Sequence, residues 1–210
     1  MQTNRFHGLT ALAAALALGI GATPLSAQEQ AEEEAQEMAA EQPQLSDANI
    51  AAIVVAANQA DINNGKLALE KGTNERVRAF GHQMIDAHTA INEAAGELVS
   101  DLGVTPEASA VSRSIADGQE AERKRLEDLE GKAFDVAYIA NEIAYHEAVI
   151  DAVDNALIPS AQNERLRQTL IDVRPAFVSH LEQARTMLDE LTGTDAGKMD
   201  QGMDDGMDGK

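Results

Sequence analysis

A chain of 210 residues, 44% hydrophobic with no Cys, no Trp and only 3% aromatic residues, is long enough for one well-buried domain held by aliphatic packing alone. Its 36 acidic residues against 16 basic give a formal charge of −20, a field that repels nucleic acid and anionic lipid surfaces and is compatible with attraction of cations. No Ser-His-Asp order, Gly-rich phosphate loop or Cys nucleophile is visible, so the sequence offers little basis for an enzyme and no catalytic residue is assigned.

Residues 1–27 read as a secretory signal peptide. Arg5 supplies the positive start, Leu9 to Ile20 an apolar run too short to span a bilayer, and Leu25-Ser26-Ala27 a small-residue exit. No Cys follows the apolar run, so there is no lipid-attachment site, and no later stretch is apolar enough to be a membrane span. The mature chain is therefore expected to be soluble and periplasmic or secreted, with 15 basic residues against 36 acidic ones once Arg5 is gone. Residues 28–45 begin QEQAEEEAQEMAAEQP; with six glutamates and no β-branched residue they read as a disordered acidic leader.

The domain then runs over residues 46–192. Ser46 offers an N-cap to a first helix from Ala48 to Lys71, ended by Gly72. Thr73 or Asn74 caps the next helix almost at once, which forces an antiparallel hairpin. In that second helix Val77, Gly81, Met84, His88, Ile91, Ala95, Leu98 and Leu102 recur in steps of four and three, the spacing of a helix seam. Gly103 and Pro106 close it. The charge-rich stretch from Ser109 to Glu130 reads as a thinly anchored crossover helix lying across the bundle. A helix from Ala133 to Ile158 follows, stopped by Pro159, and Asn163 with Glu164 opens a last one reaching about Leu191. Their seams, Val136 to Leu157 and Leu166 to Leu191, are broken only by His146 and by His180. Two antiparallel hairpins joined by a helical crossover make an all-α, ferritin-like four-helix bundle. From residue 193 to 210 the period-four repeat MDQGMDDGMDGK reads as a disordered tail; its Met199, Met203 and Met207 with neighbouring aspartates offer weak copper ligands, against the plainer reading of a solvated acidic end.

The runs GKLALEKGTNERVRAFGHQMIDAHTAINEAAGEL, GKAFDVAYIANEIAYHEAVIDAV and RPAFVSHLEQARTML resemble the bacterial envelope family DUF4142, a domain of unknown function whose members look ferritin-like. The marks are Met84 with Asp86 and His88, Phe134-Asp135 before Tyr138, His146, and Pro175 followed by His180. The chain departs from the family pattern with Tyr145 before His146 and with Asp61 in the first helix. The resemblance implies a fold and an envelope address; it implies no activity.

One buried histidine is more often a hydrogen-bonded core residue than a ligand, with Asp61, Asn92, Tyr138, Glu142 and Tyr145 as plausible partners. Three converging histidines change that balance. His88, His146 and His180 with Asp61 or Glu142 supply the donors that zinc, iron or copper take. Against a metal, no histidine has a glutamate three residues before it, Glu142 falls beside its seam, and counting from a turn near Ser160 sets His146 and His180 roughly 8 Å apart in height. The sequence therefore favours a non-catalytic envelope protein, acting by binding or in a stress response, whose histidines form a register-fixing polar layer. The alternative is a metal-binding bundle for storage or redox chemistry. His82 lies off the seam, and Asp86, two positions from His88, faces away from it. Neither a protein partner nor an oligomeric state is legible.

Overall fold

The structure is a computed structural model, and it describes residues 45–193. The expected signal segment, the acidic leader up to residue 44 and the tail beyond Gly193 lie outside the described residues. The described residues form helices joined by turns and short irregular segments, without a strand.

Helix α1 spans Asp47–Lys71. Ser46 caps it reciprocally: its hydroxyl accepts from the Asn49 amide at 3.1 Å, and the Asn49 side chain accepts from the Ser46 amide at 3.3 Å. After Gly72, α2 spans Glu75–Asp101, with the Asn74 side chain accepting from the Arg76 amide. The turn between them is held from a distance. Asp135, 2% exposed, accepts from the Thr73 amide, the Thr73 hydroxyl and the Asn74 amide at 3.0, 2.6 and 2.9 Å. The two helices approach closely at a pair of glycines: a Cβ on Gly65 would sit 2.6 Å from the Gly81 carbonyl oxygen, and one on Gly81 2.8 Å from the Ala68 Cβ.

Helix α3 spans Ala110–Glu127, opened by a Ser109–Ser112 capping box. It does not lie across the bundle as the sequence suggests. It runs parallel to α1, because contacts climb both helices together: Asn49 donates to the Glu107 carbonyl, Asn64 to Gln119, and Lys71 to the Glu127 carbonyl. Only Ser112 and Leu126 are buried on it, so its attachment is as thin as its charged sequence implies.

Helix α4 spans Gly131–Ala152 and continues through one π-helical turn, Val153–Leu157, into Ile158–Ser160. Asp47, at the start of α1, accepts from the Gln162 and Asn163 amides at 2.8 and 3.1 Å and so pins the following turn. Helix α5 spans Glu164–Thr192, passes through Pro175, and ends at Gly193 in the left-handed conformation, φ 78°. Arg174 makes a bidentate pair with Asp154 at 2.6 and 2.7 Å, tying α5 to the π turn. In direction, α1, α3 and α5 run one way and α2 and α4 the other, with α1 packed on α2, α4 on α5, and further contact between α1 and α4 and between α2 and α5.

The core is divided. One apolar cluster contains Leu67, Val77, Phe80, Met84, Phe134, Tyr138, Ala184 and Met187. The other contains Ile50, Ile53, Leu98, Val153, Leu157, Leu166, Leu170 and Phe177. On every one of α1, α2, α4 and α5 the residues separating the two clusters include a buried polar side chain: Asn58 and Asp61, His88, Glu142 and His146, and His180. A polar layer thus crosses the middle of the bundle.

Candidate metal centre

Each helix supplies its part of this layer by helical spacing. On α1, Asn58 and Asp61 are three apart and share the inward face with Ile50, Ile53, Gly65 and Ala68. On α4, Phe134, Tyr138, Glu142, Tyr145 and His146 lie four and three apart, so the buried face is centred on polar residues. This corrects the placement of Glu142 beside the seam. A seam drawn through aliphatic residues misses a face whose centre is Asp135, Tyr138 and Glu142; Glu142 is 0% exposed.

The three histidines meet. Ring centroids are 5.7 Å apart for His88 and His146, 5.5 Å for His88 and His180, and 5.4 Å for His146 and His180. The height difference derived from the sequence is therefore overturned. Helix α4 continues to Ser160 and α5 begins only at Glu164, so the turn residues between them add no helical rise. His146 lies about 14 residues before one helix end and His180 about 16 after the other start, which leaves roughly 3 Å between their levels.

Two overlapping groups of ligand atoms result, His88 with His146 and His180, and Asp61 with Glu142 and His146, the atoms of each lying within 4.8 Å of one another. Nitrogens sharing one tetrahedral ion at about 2.1 Å are about 3.4 Å apart, so closing on a metal needs inward shifts on the order of an ångström or less. The second nitrogens of His88 and His146 are already committed. His88 Nδ1 lies 2.8 Å from Asn58 Oδ1, and because the Asn58 amide nitrogen donates to Asn92 Oδ1 at 3.0 Å, the imidazole is the donor. His146 Nδ1 lies 2.9 Å from the Glu142 carbonyl oxygen and donates to it. Both rings are thereby held in the tautomer that leaves Nε2 a bare lone pair, the arrangement metal-binding histidines use. Those two Nε2 atoms, His180 Nδ1 and Asp61 Oδ1 are buried without a hydrogen-bond partner, and the Glu142 carboxyl has only Asp61 and Tyr138 to bond with. Closest carboxylate approaches are 3.5 Å from Asp61 Oδ2 to His88 Nε2 and 3.6 Å from Glu142 Oε2 to His146 Nδ1.

Burial sets the charges. It pushes the Glu142 carboxyl up to about 8, against the approach of Asp61 and Tyr138, and it holds Asp61 well above the usual carboxylate range, helped by the neighbouring Glu142. Burial also lowers His88 to about 3, with His146 and His180 adding repulsion, and lowers His146 to about 4 despite its bond to the Glu142 carbonyl. His180 is lowered by burial too. Near neutrality the layer is thus an uncharged set of imidazoles beside carboxyls that resist ionisation until a cation compensates them.

All five sequence candidates, His88, His146, His180, Asp61 and Glu142, fall in this layer. Of the other partners considered, Asn92 stands one step out, behind Asn58, and Tyr145 donates to the Ala57 carbonyl at 3.1 Å rather than to a histidine. Tyr138 lies in the neighbouring apolar cluster on the same face of α4, with its hydroxyl bonded to the Glu142 carboxyl. Asn58 is absent from the sequence candidates, and Phe177 reads in the sequence as a seam residue rather than as part of the layer. Phe177 stacks on His88 with centroids 5.8 Å apart and planes 7° from parallel; it sits three residues before His180, and Asn58 three before Asp61, so helical spacing from known candidates would have found both. His82 and Asp86 are exposed and pair with each other at 2.9 Å, away from the layer.

An all-helical protein with a buried, four-helix histidine and carboxylate layer is the class these features define. The chain belongs to the family described as a domain of unknown function, DUF4142, whose sequence pattern matches residues 10–187. No curated protein and no solved structure matches it.

Proposed function

We propose that this chain is an exported protein of the bacterial envelope, periplasmic or secreted, whose bundle is ferritin-like and binds a transition metal through His88, His146, His180 and a carboxylate from Asp61 or Glu142. The ferritin-like reading is supported by the two hairpins and by α3 returning alongside α1, which brings the start of α4 to the level of the Gly72 turn. The export reading rests on the Arg5 start, the apolar run and the small-residue exit before Gln28. Among the described residues no helix is long and apolar enough to cross a membrane. One observation carries the metal reading: three imidazole nitrogens, buried without partners, converge with the Asp61 and Glu142 carboxyls from four helices while the remaining nitrogens of His88 and His146 are held as donors. Leaving so many buried polar atoms unpaired costs roughly 1–3 kcal/mol each, and a cation removes that cost at one stroke. Imidazole with carboxylate suits zinc, iron or copper.

The competing reading is a metal-free polar layer that fixes helix register, favoured by the uncharged state that burial imposes on all five groups. Metal analysis and melting curves separate the two. Chelator-treated protein is titrated with zinc, iron(II) or copper(II), for wild type and for His88→Leu, His146→Leu and His180→Leu. The metal reading requires one ion per chain and a melting temperature that rises with it in wild type and not in the variants. No uptake, or equal uptake in all four proteins, rejects it.

A further inference from the structure

A cavity of about 330 Å³ lies on the side of the polar layer where α4 turns into α5. Along α1 its wall reaches from Ala51 to Asp61, about 15 Å of helix, so the space is long rather than round. Small side chains, among them Ala57, Ala95 and Ala152, hold it open where larger ones would fill it. Among the described residues no Lys, Arg or Glu contributes to its wall. An apolar engineered cavity of about 150 Å³ already takes benzene and stays dry without it. Here the volume is about twice that.

The two ends differ. Val55 and Val111, 41% and 47% exposed, line the cavity where α1 meets the start of α3, and give it an apolar mouth. At the inner end the wall contains Asp61 and His88, each 1% exposed and each carrying a buried polar atom without a partner. Because His88 Nδ1 is committed as a donor to Asn58, its Nε2 is an acceptor, so what it can take from a small molecule is a hydroxyl proton. No cationic side chain is present to receive an anionic head group, and the formal charge of −20 opposes anions at longer range.

We infer that this cavity binds an amphiphile with an unbranched alkyl chain and an uncharged hydroxyl head group, the chain lying along α1 against Ala57 and Ala95 and the head reaching Asp61 and His88. This goes beyond the metal reading. His146, His180 and Glu142 are not part of the cavity wall, and the measurement uses chelator-treated protein, so a failure of metal uptake and a failure of alkyl binding are separate results.

The probe is decanol, titrated calorimetrically into the full mature chain at pH 7, with decanoate as the charged comparator. One decanol binds per chain, and decanoate binds at least about tenfold more weakly, because the inner end offers no positive charge and already holds the Asp61 carboxyl. Ala95→Leu fills the middle of the cavity and lowers decanol affinity by about tenfold or more, while its melting temperature stays at or above that of wild type. Ala152→Leu serves the same purpose if Ala95→Leu does not fold. His88→Leu, which removes the acceptor and keeps the chain-binding wall, weakens decanol about fivefold. Absence of decanol binding, equal affinity for decanol and decanoate, or unchanged affinity in a folded cavity-filling variant would overturn the inference.

Discussion

Replacing Glu142 by Gln changes stability in a way that depends on pH, and the size follows from burial. The Glu142 carboxyl titrates near 8 in the fold against 4.5 when unfolded. A group raised in this way contributes stability that is fully present below its unfolded pKa and is lost as pH rises through the folded one. At about 1.4 kcal/mol per unit, keeping Glu142 disfavours folding by about 4 kcal/mol at pH 8 and about 1 kcal/mol at pH 5. In chelator-treated protein, Glu142→Gln should therefore be more favourable at pH 8 than at pH 5 by about 3 kcal/mol, or roughly 10 °C in melting temperature. Comparing the two pH values cancels whatever fixed cost the amide has in the site. The histidines act in the opposite sense. His88 and His146, lowered to about 3 and about 4 from 6.5, contribute stability that is present above 6.5 and lost as pH falls toward those values. Wild type without metal should then be most stable between about pH 5 and 7, and Glu142→Gln should keep the acid limb and lose part of the alkaline one, the remainder belonging to Asp61, which burial also holds above the usual carboxylate range. Urea unfolding of both proteins at pH 5, 6.5 and 8, with chelator present, measures this. A stability difference that is the same at pH 5 and pH 8 would refute the claim that Glu142 is buried without a compensating charge.

Three further outcomes are expected. Gly81→Ala places a Cβ 2.8 Å from the Ala68 Cβ and 2.9 Å from the Gly65 carbonyl oxygen and should cost about 2 kcal/mol, whereas Gly96→Ala, with open space around it, should stabilise by about 0.5 kcal/mol. Thermal unfolding of the pair tests this, and equal effects at both positions would contradict the close approach of α1 and α2. Asp135→Ala removes three hydrogen bonds that hold the α1–α2 turn to α4 and should cost about 3 kcal/mol by urea unfolding; a loss below about 1 kcal/mol would mean the turn holds itself. The intact mass of protein recovered from the periplasm should correspond to a chain beginning at Gln28, and a retained leader would reject export by cleavage.

Much of the fold was legible because local rules decide it. Ser46, Asn74, Ser109 and Asn163 all cap the helices they precede, and Gly72 and Gly193 end the helices before them, as the short-range chemistry of caps and breakers requires. The three seam histidines were equally visible, since an aliphatic stripe broken once by an ionisable residue marks its position on the inward face. The π turn at Val153–Leu157 left no such mark, and neither did the course of α3, because a helix burying only Ser112 and Leu126 carries too little apolar pattern to state which neighbour it follows.

The sequence by itself determined five helices, their caps, and an inward histidine on each of α2, α4 and α5. Only the tertiary structure decided that these histidines share one level, because the level of His180 relative to His146 depends on whether the residues between Ser160 and Glu164 advance along a helix axis or turn. It also decided that Glu142 and Asp61 face the same layer, since a buried face built from polar side chains is indistinguishable in sequence from an exposed one. What distinguishes them is the neighbouring helix that removes water from both, and that neighbour is a property of packing across the bundle, set by residues as distant as Gly65, Gly81 and Asp135.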